Sequence, residues 1–379
     1  MTSEERHEAR YQRRKADRER KKSEKLKSAN NFDEVFSYGN LYDSYRHCRK
    51  GVSWKASVQK YITQAPLEVY RTWCKLQAGT FRSPGFYEFD ISERGKLRHI
   101  RSNSIKERVV QNCLCDNTLI PALQRTFIFD NGASTKNKGD TFTIDRITEQ
   151  LKRHFREYGQ EGYILIFDFS KFFDNVSHKL AKRVINKEIS DKRILKLAYH
   201  FIDAFGDKGL GLGSQISQVL ALASANGLDH VVKEICRIKK YARYMDDGRL
   251  ISPSKSVLYD CLKIIKRVCV ELGIKLNQKK TQIVKLSHGF TWLKVKFHLT
   301  KTGKVIRKID RSSVTRERRK LKKLHKKLVA GRITLRNIWA QLQSWIAYAS
   351  NFNAYRTVER MTILFVNLFK KELNLNDFI

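Results

Sequence analysis

Three aspartates lie in contexts where a carboxylate is costly. Asp168 lies inside the apolar run 163–169, and a buried aspartate is expensive unless it is paired, hydrogen-bonded or bound to a cation. Asp246 and Asp247 are adjacent, so their charges repel each other and a cation would neutralise them. Taken singly, each has a simpler explanation, because an Asp-Asp pair is usually a solvated turn and a strand-end aspartate usually caps a helix.

Together, the three acids suggest phosphoryl chemistry. One acid leaves a central strand and an acid pair follows on a hairpin roughly 80 residues later. Such carboxylates can hold two Mg²⁺ ions ~4 Å apart, which clamp the attacking and leaving oxygens of an in-line displacement. Magnesium suits this role because it prefers hard oxygen ligands and shares its shell with substrate phosphates. The pattern alone does not distinguish a polymerase from a nuclease.

The charge of the chain indicates a polyanionic partner. Lys and Arg number 76 against 38 Asp and Glu, a formal net charge of +38 over 379 residues. Such an imbalance makes nucleic acid the first partner to consider, with an acidic membrane surface as the alternative. No stretch approaches the ~18 apolar residues of a spanning helix, so we expect no membrane insertion. The hydrophobic share of 41% excludes wholesale disorder.

The termini and cysteines favour a cytoplasmic protein. The first residues lack the apolar core of a secretory signal. The seven cysteines are scattered, which predicts reduced thiols rather than a disulfide framework or a zinc site. Residues 1–29 are charged almost throughout, and they predict either a solvated helix or frayed tail, or a basic arm that touches phosphates.

Elements of both kinds must position the acids, which predicts an α+β fold. The run 163–169 predicts a buried strand, and 241–251 predicts a hairpin with Asp247-Gly248 as its turn. Further expected strands lie within 86–102, around a turn at 92–95, and at 281–286, 290–298 and 304–308. Helices are expected at 105–125, 178–187, 190–205, 254–272 and through most of 311–379.

Six segments in consistent order resemble the motifs of reverse transcriptases. Tyr244-Met-Asp-Asp247 resembles the YxDD motif, and Phe167-Asp-Phe-Ser-Lys-Phe-Phe-Asp-Asn-Val176 resembles the first catalytic motif of bacterial retroelement enzymes. Further similar segments are Lys96-Leu-Arg98 with Arg108-Val-Val-Gln111, Gly209-Leu-Gly-Leu-Gly-Ser-Gln-Ile-Ser-Gln218 followed by Asn226 and Leu228-Asp229, Leu276-Asn-Gln-Lys-Lys-Thr281, and Phe290-Thr-Trp-Leu293. The resemblance covers about residues 90–350 and identifies the chain as a member of that family.

The resemblance implies a role for each matching residue. Asp168, Asp246 and Asp247 would be the catalytic metal ligands, with the backbone carbonyl of Phe169. The implied cofactor is a pair of Mg²⁺ ions, with Mn²⁺ as an alternative. Residues that would contact the nucleotide are Lys96, Arg98, Phe173 as the steric gate, Gly213, Ser217, Gln218 and Lys280. Trp292 and Leu293 would form the primer grip, although they also fit a core strand.

Two departures bear on the type of reverse transcriptase. Many relatives have Pro-Gln-Gly where this chain has Gly211-Leu212-Gly213, and leucine cannot make the hydrogen bonds of glutamine near the templating pair. The segment Leu212-Gly-x-x-x-Ser-Gln218 is similar to that of diversity-generating retroelement enzymes, which copy template adenines with low fidelity. It is also similar to that of reverse transcriptases that act in phage defence. The loop 130–139 lacks the Phe-Arg of intron-type enzymes, and Lys136 or Lys138 would have to substitute for the arginine. We expect no endonuclease domain, because no Cys/His cluster suggests one.

The resemblance implies a right-hand polymerase with fingers, palm and an α-helical thumb. The expected divisions are a basic N-terminal extension (1–45), fingers (46–160), a palm (161–299) with a helical insertion at about 185–208, and a thumb (300–379). In the thumb, the cations Arg316, Arg319, Lys320, Lys323 and Lys327 would bind nucleic acid.

The expected activity is RNA-directed DNA synthesis by two-metal nucleotidyl transfer. The partners would be an RNA template, a DNA or RNA primer and deoxynucleoside triphosphates, with a dedicated non-coding RNA or an accessory protein as further candidates. The role would be that of a diversity-generating retroelement or, alternatively, of anti-phage defence with untemplated or non-coding-RNA-templated synthesis. A non-catalytic RNA-binding protein on a polymerase scaffold is the alternative of another class.

Overall fold

The computed structural model describes residues 2–93 and 95–372 and confirms a mixed α+β architecture. In chain order its helices are α1 (Ser3–Leu26), α2 (Phe32–Val35), α3 (Tyr38–Cys48), α4 (Ala56–Ile62), α5 (Ala65–Gln77), α6 (Ile105–Leu114), α7 (Ile120–Leu123), α8 (Asp140–Tyr158), α9 (Phe172–Asn175), α10 (His178–Asn186), α11 (Lys192–Asp203), α12 (Gln215–Ser224), α13 (Asn226–His230), α14 (Lys255–Glu271), α15 (Arg311–Val329), α16 (Leu335–Ser350) and α17 (Tyr355–Phe369). The strands are β1 (Phe86–Glu93), β2 (Lys96–Asn103), β3 (Tyr163–Asp168), β4 (Tyr241–Tyr244), β5 (Asp247–Ser252), β6 (Gln282–Lys285), β7 (Phe290–Trp292), β8 (Val295–Leu299) and β9 (Val305–Ile309).

The central sheet is antiparallel, with strand order β4-β5-β3-β6. Its strand β3 is covered on both faces. Ile164 packs in one core with Ile147 and Leu151 of α8, whereas Leu165 packs in another with Leu258 of α14. Because both faces are buried, β3 reads as a continuous apolar run rather than an alternating one. The strand predicted at 163–169 is therefore confirmed.

The hairpin β4-β5 is confirmed, but its predicted turn at Asp247-Gly248 is wrong. Tyr244 pairs with Asp247, so the turn consists of Met245 and Asp246, and Met245 has a left-handed φ of +54°. Gly248 belongs to β5 for a packing reason. A Cβ on Gly248 would lie 2.2 Å from Cζ of Phe167, so the glycine makes room for the aromatic ring of the neighbouring strand.

A second sheet and a helical unit complete the C-terminal part. Strands β7-β8-β9 form an antiparallel sheet, and the predicted strand 290–298 is in fact the hairpin β7-β8. Its two turn residues, Leu293 and Lys294, have φ values of +48° and +65°, as a type I′ turn requires. Helices α15, α16 and α17 share a core of their own, formed by Leu321, Leu324, Ile338, Leu342, Met361, Phe365 and Phe369. Residues 373–379 of the predicted helical segment lie outside the described residues.

Two N-terminal features also match their predictions. The strands β1 and β2 form the hairpin expected within 86–102. Residues 3–26 form the helix α1, which begins with a capping box between Thr2 and Glu5.

All seven cysteines are free. Within the described residues, no helix combines the length and the apolar composition that crossing a bilayer requires.

Candidate active site

The three predicted aspartates lie at adjacent strand ends. Asp168 is the last residue of β3 and pairs in register with Asp247, the first residue of β5. The amide of Phe169 donates a hydrogen bond of 3.1 Å to the carbonyl oxygen of Asp246, which ties the turn to the end of β3. The sheet thus brings Asp168, Asp246 and Asp247 together at one end of its two central strands, a place that we name the acidic edge.

The acids influence each other electrostatically. Burial and, to a smaller extent, the nearby carboxylates of Asp168 and Asp247 together raise the pKa of Asp246 to about 6. Burial also raises the pKa of Asp247, against the lowering effect of Arg249. The side chain of Asp168 is buried. A site that holds acids in this way favours a proton or another cation among them.

Two basic side chains supply part of that positive charge. Lys280 donates a 2.7 Å hydrogen bond from Nζ to Oδ2 of Asp168, and this bond raises the pKa of the lysine. Arg249 is buried, and its Nη1 lies 3.4 Å from Oδ1 of Asp247. The guanidinium of Arg249 also lies over the Trp292 ring, 5.2 Å from its centroid, which links the central sheet to β7.

The donor set suits a magnesium ion, although the protein alone does not form a closed cage. Among the residues that the structure describes, no group of three or more His, Cys, Asp or Glu side chains is gathered as a metal cluster. Lys280 and Arg249 each engage one of the carboxylates. Mg²⁺ is usually held by one or two carboxylates together with substrate phosphates, so an open edge of hard oxygens fits it.

A buried ion pair supports the turn that carries Asp246. The guanidinium of Arg243 donates two 2.7 Å hydrogen bonds to the carboxylate of Asp229, from Nε and Nη2, and both side chains have 0% exposure. Its Nη1 donates a 2.6 Å bond to the carbonyl of Met245, the left-handed turn residue. The hydroxyl of Tyr241 also donates to Asp229, at 2.6 Å. Strand β4 therefore holds the turn from inside the core.

A second network fixes the backbone of Arg243. The Arg243 amide donates to the carbonyl of Asp130, and the Gly132 amide donates to the carbonyl of Arg243, each at 3.1 Å. The Asp130 carboxylate accepts from Nε of Arg146 at 2.7 Å and from Nζ of Lys233 at 2.9 Å. The loop 130–139 thus pairs with the strand that leads to the acids.

Lys138 of this loop is held by contacts within the protein. Its ammonium donates to the carbonyl of Phe129 at 2.6 Å and lies 4.9 Å from the centroid of that ring. Burial lowers its pKa. The hypothesis that Lys138 replaces an intron-type arginine therefore has to account for these contacts.

The glycine-rich second motif lies against the hairpin β1-β2. The amide of Arg101 donates to the carbonyl of Leu212 at 3.1 Å. Gly213 has a φ of +113°, and a Cβ there would lie 3.1 Å from the carbonyl oxygen of Arg101. Ser217 is fully buried and its hydroxyl has no partner among the described residues, whereas Gln218 is exposed.

The other predicted nucleotide contacts lie in two elements, the helix α9 and the strand β2. Phe173 lies in α9, directly after β3, is half-buried and contacts the Phe172 ring edge-on. Arg98 lies on β2, exposed, opposite Ile91. Lys96 begins β2, but its side chain lies outside the described part of the structure.

The predicted primer-grip residues have different environments. Trp292 is 1% exposed and packs in the core beneath Arg249. Leu293 is the first residue of the type I′ turn and is half-buried. Of these two side chains, Leu293 is the one with part of its surface open to solvent.

The predicted nucleic-acid cations of α15 lie along one side of the helix. At 100° per residue they span an arc of about 100°. These cations are Arg316, Arg319, Lys320, Lys323 and Lys327. Leu321 and Leu324, on a different side of α15, are buried in the helical core.

Sequence reasoning missed the roles of Arg243 and Arg249. The signal was present, because each arginine interrupts an apolar stretch of the predicted hairpin 241–251. A charge in a buried strand requires a partner, but its identity depends on which residues the fold brings beside it. Asp229 was recognised only as part of a motif.

Comparison with known proteins identifies a family. Residues 90–297 match the family model described as reverse transcriptase (RNA-dependent DNA polymerase). Protein YkfC of Escherichia coli (strain K12) is 21% identical over 243 residues, which is 52% of this chain and 62% of that protein. The chain thus spans less than two thirds of that relative.

Among solved structures, the chain is similar to telomerase from Candida albicans in complex with a TWJ fragment of telomeric RNA. It superposes with a TM-score of 0.49 and 11% sequence identity, covering 83% of this chain and 66% of that one.

Proposed function

The chain belongs to the reverse transcriptase (RNA-dependent DNA polymerase) family, and we propose that it copies an RNA template into DNA. The observation that carries the proposal is the placement of Asp168 and Asp247 as register partners at the ends of β3 and β5, with Asp246 in the turn beside them. Binding alone would gain nothing from carboxylates that face phosphates, so this arrangement favours catalysis over a purely RNA-binding role.

The proposed cofactor is a pair of Mg²⁺ ions, with Mn²⁺ as an alternative. Asp168, Asp246, Asp247 and the carbonyl of Phe169 would hold them, and the ions would supply stabilisation of charge on the attacking and leaving oxygens. Lys280, already bonded to Asp168, would place its ammonium beside the departing pyrophosphate. Arg249 and Arg243 act through the acids, by orienting Asp247 and the turn.

Contacts to the nucleotide are proposed for the residues that match the family's nucleotide-binding positions. Phe173 would exclude a 2′-hydroxyl, and Lys96, Arg98, Gly213 and Gln218 would approach the triphosphate or the base. Ser217 is a weaker candidate, because a fully buried hydroxyl cannot reach a ligand without movement of α12. The partners would be an RNA template, a DNA or RNA primer and deoxynucleoside triphosphates.

The mixed α+β architecture is that of a right-hand polymerase, and we propose adjusted divisions. The expected boundary at residue 45 falls inside α3, and Phe36 and Leu41 share a core with Val109 of α6. The basic extension would therefore end near Leu26, where burial begins. Strand β9 pairs with β8, so the thumb would begin at Arg311 rather than at residue 300.

Primer extension on an RNA template tests the proposal. The double variant Asp246→Ala/Asp247→Ala should lose deoxynucleotide incorporation while it still binds RNA. A matched control, Asp260→Ala/Glu271→Ala, removes two exposed acids of α14 and should retain synthesis. Synthesis by the first variant at the wild-type rate would contradict the proposal.

Product sequencing separates templated synthesis from terminal transfer, which needs no template and uses the same acids. A complementary product supports the proposal, and a product of unrelated sequence contradicts it. Omission of Mg²⁺, with and without added Mn²⁺, tests the cofactor.

The proposed biological role, that of a diversity-generating retroelement enzyme, is argued from Leu212. Its side chain stands where many relatives have glutamine, and its carbonyl binds the Arg101 amide of the hairpin β1-β2. We propose that this leucine loosens template reading, as a diversity-generating retroelement requires. The variant Leu212→Gln should then make fewer errors opposite template adenines. Unchanged error rates would favour the phage-defence alternative, for which co-purifying RNA, cDNA or an accessory protein should be sought.

A further inference from the structure

The cations of α15 form one arc of about 200° around the helix, at 100° per residue. Lys320 lies at one end of this arc, and Arg311 and Arg318 lie at the other end, with Lys322 and Lys326 between them. A single flat contact with a nucleic acid cannot engage both ends of so wide an arc. We call the side of the helix that carries Arg311 and Arg318 the second face.

This second face borders a cavity of about 830 Å³ between β9, the first half of α15 and the start of α17. We name this cavity the thumb groove. Its basic lining residues are Lys308, Arg311, Arg318, Arg356 and Arg360. All five are exposed, and none has an ion pair with an acid among the described residues. Unpaired cations that converge on a concavity favour an anionic ligand.

The groove also offers an aromatic ring and neutral hydrogen-bonding groups. Tyr355, the first residue of α17, lines it and is 80% exposed, so the face of its ring is open to a ligand. Asn353 is fixed to β9, because its amide donates to the carbonyl of Arg307 at 2.8 Å and its Oδ1 accepts from the Arg307 amide at 2.9 Å. Thr315 and Thr357 add hydroxyls.

We propose that the thumb groove binds a short single-stranded segment of RNA. Arginine forks match phosphate oxygens, an exposed ring stacks on a base, and hydroxyl and amide groups suit the 2′-hydroxyl. A cavity of this volume accepts a few nucleotides of one strand, whereas a duplex needs an open surface. The inference rests on the proposed function, since an enzyme that copies RNA must hold template that is not yet paired.

The test uses the full chain and a labelled single-stranded RNA of about 20 nucleotides, without primer, nucleotides or divalent ions. Binding is followed by fluorescence anisotropy at several salt concentrations. The variant Arg356→Ala/Arg360→Ala should bind more weakly. Its plot of log affinity against log salt should have a slope smaller by about 1.4, since each single-strand phosphate contact contributes about 0.7.

A matched variant controls for lost charge. Arg332→Ala/Arg336→Ala removes two exposed arginines near the opposite end of α15, more than about 20 Å along the helix from Arg311. This control should keep the wild-type slope. Equal slopes for the two double variants would overturn the proposal.

The aromatic contact is tested separately. Tyr355→Ala should weaken RNA binding by about tenfold, whereas Tyr355→Phe should bind as the wild type does, because stacking needs only the ring. Wild-type affinity for Tyr355→Ala would contradict the proposal. So would a loss confined to single-stranded DNA of the same sequence.

The variant Asp246→Ala/Asp247→Ala should bind this RNA normally. Failure of the groove therefore appears in binding, and failure of the proposed function appears in primer extension.

Discussion

Arg243 and Asp229 form a bidentate ion pair in which neither side chain is exposed to solvent. The same guanidinium binds the carbonyl of Met245, the residue before Asp246. A buried ion pair adds little net stability but is costly to break. Its placement therefore points to a positioning role, in which Arg243 holds a left-handed turn at the acidic edge.

Breaking this pair should destabilise the fold strongly. Asp229→Ala leaves an unpaired buried guanidinium, and we expect a loss of about 3–5 kcal/mol in the free energy of unfolding, measured with urea. Tyr241→Phe, which removes one hydrogen bond to Asp229 and leaves the charges paired, should cost only about 1 kcal/mol.

The positioning role has its own readout. In Asp229→Leu/Arg243→Met the pair is replaced by apolar groups, and much of the stability should return, yet primer extension should stay low because Met245 has lost its donor. Full recovery of both would show that the pair is merely structural.

Asp246 should make the metal-free protein less stable as pH rises. Its pKa lies near 6 in the fold against 3.8 in the reference state, so the native state binds more protons between these values. The free energy of unfolding then falls as pH rises from about 4 to about 6. Asp246→Asn should remove this slope.

At pH 7 we expect Asp246→Asn to be more stable than the wild type by about 1–3 kcal/mol in the presence of EDTA, since one pKa unit corresponds to about 1.4 kcal/mol. The difference should vanish near pH 4, and the variant should be inactive. A variant of wild-type or lower stability at pH 7 would count against the proposed burial of the charge.

Lys280 should compete with a divalent ion for Asp168. Its ammonium lies 2.7 Å from Oδ2, so Lys280→Ala should bind Mn²⁺ about tenfold more tightly in the absence of nucleotide, measured by electron paramagnetic resonance. Primer extension should nevertheless fall. The neighbour Lys279 is exposed, and Lys279→Ala should change neither property. Weaker Mn²⁺ binding by Lys280→Ala would contradict this competition.

Gly248 should tolerate no side chain. In Gly248→Ala the new Cβ would lie 2.2 Å from the Phe167 ring, and overpacking of this kind costs about 1–3 kcal/mol. Adding Phe167→Leu should restore part of the loss. Gly227→Ala is the control, because a Cβ there meets nothing within 4 Å in a helix and should stabilise by up to about 1 kcal/mol. Thermal unfolding measures all three.

Phe173 should set the choice of sugar. Phe173→Ala removes the ring that follows β3, so incorporation of ribonucleotides relative to deoxynucleotides should rise by roughly tenfold or more in primer extension. Phe173→Tyr, which keeps the bulk, should preserve discrimination. An unchanged ratio in Phe173→Ala would indicate that the ring serves only the core beside Phe172.

Local pattern was enough for much of the scaffold. The apolar run of β3, the helix at 255–271 and the helical character of the segment from residue 311 onward follow from spacing that neighbours in sequence impose. The turn was misplaced because Asp-Gly is a common turn signal, and only the ring of Phe167, on another strand, explains that glycine. The burial of Ser217 and Trp292 likewise depends on packing between distant segments.

The sequence by itself determined the acids, their order, the excess of positive charge and the strand and helix periods, because these are properties of residue type and of short spacing. Only the tertiary structure decided which cation meets which carboxylate. Lys280 reaches Asp168 across 112 positions, and the arginines of α15 and α17 converge on one groove. Partners are chosen by how sheets pair and helices pack, and those contacts are not encoded in any one segment.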